Sequence, residues 1–254
     1  MPAPLPIPSP LSCWRSPLAP ATALPLLLVV TAVFGAMRFT GLLGAHPLRW
    51  MLPLSFMLMT AAPWLLLNAQ GRRQIGLTRA TWSQCSIAVV LGALAAMACF
   101  ALGMLLFGVS SDNWYVTIAA SYRATMDTSH FSLVQSYLIF TIPALLFSPI
   151  GEEIFFRGML QQALEHYSPA RFSTALECAL FGLIHLCHHG LTMTSAGLAF
   201  RPLSGALWML SMFFVALLFA TLRRRSGSLL PAMAAHAAFN AVMNLAIFAA
   251  LWNP

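Results

Sequence analysis

The chain has 254 residues, 59% of them apolar and only 7% charged, against about 25% charged in an ordinary soluble domain. So few charges cannot cover a water-soluble fold, so the solvent of this protein is a membrane. The formal charge of +7 comes from arginine, since the sequence holds no lysine, and most arginines stand at the ends of apolar segments, where membrane topology rather than nucleic acid asks for them.

Apolar runs of about 20 residues, enough to cross about 30 Å of hydrocarbon, recur from Ala21 to Trp252. They lack the period-2 alternation of a transmembrane barrel, and a spanning segment must satisfy its own backbone, so they are read as helices. The expected fold is all-α, a polytopic transmembrane helix bundle. Residues 1–20 come first: the opening 25 residues hold eight prolines and one charge, Arg15, without the basic start and short apolar stretch of a signal peptide. They are expected to form a disordered Pro-rich leader. Amino-terminal membrane helices then fill 21–131, and a second group of helices fills 132–250.

About seven spans are predicted, near 21–37, 51–68, 84–108, 132–163, 172–189, 203–222 and 229–251. The fourth is long for one crossing, and Pro143, Pro149 and Gly151 predict a kink inside it. Arginines divide eight to four between alternate connections, with Arg38 counted on the poorer side and Arg223, Arg224 and Arg225 on the richer. That places the amino terminus in the cytoplasm. The connection from Val109 to Phe131, with Trp114, Tyr115 and Tyr122, is expected along the interface. Five cysteines form no CxxC pair and are read as packing residues.

Three motifs interrupt the apolar pattern: Gly151-Glu152-Glu153-Ile154-Phe155-Phe156-Arg157-Gly158, then Phe181-Gly182-Leu183-Ile184-His185, then His236-Ala237-Ala238-Phe239-Asn240. An ionisable residue at membrane depth costs at least about 2.5 kcal/mol, so each is a functional candidate. At about 100° per residue, Glu153 and Arg157 share a helix face and can form an ion pair. Glu152 points elsewhere, has no cation at i+3 or i+4, and is the candidate general base. His236 and Asn240, one turn apart, can project into one cavity. Counted at about 1.5 Å per residue from the cytoplasmic ends, Glu152, His185 and His236 lie about 16, 21 and 16 Å deep, in one middle slab.

Taken singly, each motif has a simpler reading. The Glu-Glu pair can end a helix at the surface, His185 can sit at the interface, and His236 with Asn240 can clamp two helices. His188 and His189 are read as interface residues, Glu177 as lying near the headgroups, and Phe155, Phe156 and Phe181 as packing.

Together the three motifs, Glu-Glu-x-x-x-Arg, Phe-x-x-x-His and His-x-x-x-Asn in that order, resemble the CPBP family of intramembrane proteases, which includes the CAAX prenyl proteases. The resemblance spans about residues 132–250. It implies an intramembrane endopeptidase acting on a membrane-associated or lipidated protein or peptide. In it Glu152 and His185 activate water, His236 and Asn240 stabilise the oxyanion, and Glu153 and Arg157 hold the first motif in shape. A metal version is also open, with His185, His236 and a carboxylate around one divalent ion such as zinc, although His-Glu-x-x-His is absent, as is a Gly-x-Ser-x-Gly elbow. The expected partners are a peptide or protein substrate and the lipid bilayer, with no nucleic acid. A compact chain whose strongly basic residues are all arginine suggests a bacterial inner membrane. Two rivals carry no peptidase chemistry: a silent membrane protein for bacteriocin self-immunity or partner binding, and a small transporter with Glu152 and His236 as a proton relay.

Overall fold

The structure is a computed structural model that describes residues 20–44, 46–194 and 197–252; the expected leader, but for Pro20, lies outside them. Apolar runs become helices in chain order: α1 (Pro20–Leu43), α2 (Met51–Leu66), α3 (Ala69–Gln74), α4 (Trp82–Phe107), α5 (Trp114–Thr125), α6 (Leu133–Glu152), α7 (Gln161–Tyr167), α8 (Ala170–Ile184), α9 (Pro202–Ser226) and α10 (Leu230–Ala246). A two-stranded antiparallel hairpin, β1 (Leu191–Thr194) with β2 (Gly197–Phe200), links α8 to α9. The fold is the all-α polytopic bundle that the composition predicts. Among the described residues, six helical stretches are long and apolar enough to cross a membrane. The remaining predicted span is α2, whose 16 residues reach about 24 Å.

The side chains are distributed as a lipid solvent demands. On α4 the outward face carries Ile87, Val90, Leu94 and Leu105, which would be an unpaid debt in water. Its inward face is small: Ala88, Gly92, Ala96, Cys99 and Gly103 recur at every fourth or so position. Small residues let helices approach closely. A Cβ on Gly92 would stand 2.0 Å from the Ala235 carbonyl oxygen of α10, so α4 and α10 touch backbone to backbone. Gly151 of α6 makes a similar approach to α2, where a Cβ would lie 2.5 Å from the Phe56 carbonyl oxygen.

Past the prolines that predict a kink, the helix changes its turn. Glu153–Leu160 is a π-helical stretch that follows α6 directly. The wider turn changes which side chains face the interior, and π segments of this kind accompany functional sites. All eight of its residues are buried.

Two expectations about connections are corrected. Arg38 is not in a loop but inside α1, buried in the bundle. Trp114 and Tyr115, expected to face the interface, are turned by α5 into the core, where Trp114 Nε1 donates to the Cys99 carbonyl (3.2 Å) and Tyr115 Oη to the Ala96 carbonyl (2.8 Å). Tyr122 Oη likewise donates to Asn244 of α10 at 2.9 Å. The reason is shape: the small inward face of α4 leaves room that aromatic rings fill, with polar tips satisfied by helix carbonyls.

Candidate active site

The π stretch, the end of α8 and the middle of α10 bring the three motifs together around a cavity of about 320 Å³. Its polar end is formed by Arg38, Ser148, His185, His188, His236 and Asn240, and the rest of its wall is mostly apolar. Glu152 stands just behind this wall and is fully buried.

Glu152 and Glu153 diverge. The Glu152 carboxylate accepts from the Arg38 guanidinium of α1 through Oε1, while Oε2 has no hydrogen-bond partner in the protein and lies 3.8 Å from His236 Nε2. Glu153 Oε1 is 2.8 Å from His236 Nδ1, and its Oε2 is 3.2 Å from Arg157 Nε. Arg157 also lies 3.6 Å from Glu177 Oε1. These last two contacts are ion pairs without hydrogen-bond alignment, since Arg157 Nε has no aligned acceptor. Its guanidinium instead lies 3.9 Å above the Phe181 ring and 5.5 Å from that of Phe219, a cation–π contact that gains strength when desolvated.

Glu177, expected near the headgroups, is enclosed by the protein. It is fully buried beside Arg157, because a guanidinium deep in the bundle draws in a second acid. Within the cluster, Glu152, Glu153 and Glu177 oppose Arg38 and Arg157.

His185 caps α8. Its Nδ1 is 2.7 Å from the Phe181 carbonyl oxygen, which can only accept. Nδ1 therefore carries hydrogen, and Nε2 presents a lone pair, 3.4 Å from Arg38 NH1. Asn240 Nδ2 donates to the Ala144 carbonyl at 2.9 Å, which leaves its second amide hydrogen for the cavity. Ser148 Oγ is 3.5 Å from His236 Nε2.

The neighbouring histidines also move from their expected place. His188 lines the cavity and stacks on His185 at 5.4 Å. His189 is buried, with Nδ1 2.9 Å from Thr117 Oγ1 and Nε2 2.9 Å from Ser204 Oγ. Phe155, Phe156 and Phe181 pack edge to face with ring centroids 5.3 and 5.4 Å apart.

Sequence reasoning missed Arg38. No periodicity within the first motif could reveal it, because it comes from α1, 114 residues away. The one signal was its charge: Arg38 is the sole charged residue between Ala23 and Leu43.

The donor set does not fit the divalent ion considered from the sequence. Among the described residues, no group of three His, Cys, Asp or Glu side chains is placed to hold a metal. A guanidinium already stands against both Glu152 and His185, and a dication there would meet its positive charge.

Residues 134–242 match the family model described as Rce1-like, type II CAAX prenyl endopeptidase. No curated protein and no solved structure matches the chain. The matched segment covers less than half of the chain and supplies Glu152, His185, His236 and Asn240; over it the chain is similar to the CAAX prenyl endopeptidases.

Proposed function

We propose that the chain is an intramembrane endopeptidase in which Glu152 and His185 activate water and His236 and Asn240 hold the oxyanion. The observation that carries this reading is Glu152 Oε2, a fully buried carboxylate oxygen without a partner in the protein, 3.8 Å from an imidazole that faces the cavity. A buried acceptor left free is costly to structure and useful to chemistry.

The steps follow from the donors and acceptors. A water gives one hydrogen bond to Glu152 Oε2 beside the His185 ring, which Arg38 and the Phe181 carbonyl hold in place, and its oxygen attacks the peptide carbonyl carbon as Glu152 takes the proton. The carbonyl oxygen becomes an oxyanion, met by the free amide hydrogen of Asn240 and by His236 Nε2 when that ring is protonated. The C–N bond then breaks, and the proton held by Glu152 passes to the leaving amine. Glu153 and Arg157 orient the His236 ring from behind.

The apolar wall suits an uncharged or lipidated peptide segment, and the matched family model is that of CAAX prenyl endopeptidases. A bacterial inner membrane is the proposed location. The experiment is cleavage of an internally quenched peptide ending in a prenylated CAAX sequence, by reconstituted wild type, Glu152→Gln and His236→Ala at matched abundance. Loss of product in both variants is expected. Equal cleavage by all three would overturn the reading and leave an immunity or partner-binding role.

A further inference from the structure

The proposed water-activating pair is held by a cation that the matched segment does not contain. Arg38 lies on α1, 2% exposed, in a helix with no other charge between Ala23 and Leu43. A charge placed there is costly in hydrocarbon, so it must be matched by partners. One arm donates to Glu152 Oε1 of α6. The other, NH1, lies 3.4 Å from His185 Nε2 at the end of α8, a lone-pair atom because Nδ1–H is taken by the Phe181 carbonyl. The guanidinium is also 5.3 Å from the Phe56 ring of α2. Four helices thus meet at one planar group.

We propose that Arg38 is a positioning residue of this site: its two arms orient Glu152 and His185 relative to each other, on the reading of that pair given above. By occupying Oε1 it decides that Oε2 is the oxygen left free, the one beside His236. By facing His185 Nε2 with a donor it favours the tautomer whose lone pair points at the same space. A simple counter-ion would need only charge. A fork that spans two acceptors on different helices needs the fixed geometry of guanidinium, which a lysine ammonium does not reproduce.

The test compares Arg38→Lys, Arg38→Ala and Glu152→Gln with wild type in proteoliposomes, using the same quenched prenylated peptide, with Tm measured for each. Loss of about a hundred-fold in kcat is expected for Arg38→Ala, the order that misplacement of a reacting group brings, with KM unchanged. Arg38→Lys should lose about ten-fold, since it keeps charge but reaches one partner. Methylguanidinium added to Arg38→Ala should restore part of the lost rate through the cavity that Arg38 lines. A lysine variant with wild-type kcat overturns the proposal, as does an alanine variant with wild-type Tm that methylguanidinium does not restore. The two readings fail differently: an inactive Glu152→Gln beside a fully active Arg38→Ala ends this proposal alone, whereas an active Glu152→Gln ends the peptidase reading and this proposal with it.

Discussion

Glu152 and Glu153 are adjacent, chemically identical and equally buried, yet they sit in opposite situations. Glu153 is enclosed: His236 on one oxygen, Arg157 near the other, Glu177 beyond, and the rings of Phe181 and Phe219 against the guanidinium. Glu152 is held at one oxygen by a single arginine from a distant helix and is free at the other. The difference teaches that a buried acid becomes chemistry or scaffold according to what its second oxygen meets. The adjacent positions on a helix, about 100° apart, are enough to send the two into different surroundings.

The largest effect should separate the two acids. Glu152→Gln keeps an oxygen for Arg38 but removes the base, so hydrolysis should fall by about 10² to 10⁴, read as product per unit of folded protein. Glu153→Gln should lose less rate than that and more thermal stability; the opposite ranking would break the comparison.

Next in size, Arg157→Met removes the cation from between Glu153 and Glu177 and leaves buried carboxylates unpaired. Breaking such a pair costs about 3–5 kcal/mol, to be seen as a lower Tm or lost membrane abundance. An unchanged Tm would mean that the enclosed cluster is not structural.

Gly92→Ala sharpens the comparison from a distance. The new methyl would press on the Ala235 carbonyl beside His236, at about 1–3 kcal/mol for overpacking. Both Tm and turnover should decline together, since α4 sets where α10 carries His236 and Asn240. The smallest effect is expected at Asp112→Asn. Its pair with Arg201, at 2.6 Å, has side chains 50% and 31% exposed, and a surface pair contributes about 0–1 kcal/mol. Activity there should be that of wild type.

The legible part of the fold follows from solvent. Helices 15 to 26 residues long stand at each predicted span, because hydrocarbon permits little else. The motifs were legible too: Glu152, His185, His236 and Asn240 were singled out as polar groups in apolar surroundings, and the structure gathers Arg38, His185, His236 and Asn240 on one cavity with Glu152 behind them. What misled was burial judged from distance along a helix. Glu177, close to a helix start by count, lies wholly inside because Arg157 draws it there. Trp114 and Tyr115, whose composition suggested an interface, fill space left by the small face of α4.

By itself, then, the sequence determined that the chain lives in a membrane, that it is helical, and which few polar side chains hydrocarbon would force inward. Those conclusions rest on local cost: each residue's transfer energy and each segment's backbone are settled without knowing its neighbours. Only the tertiary structure decided the partners. The Arg38–Glu152 contact spans 114 residues and the His236–Glu153 contact 83. Pairing energies of this kind depend on which helices pack together, and no period within one helix encodes them.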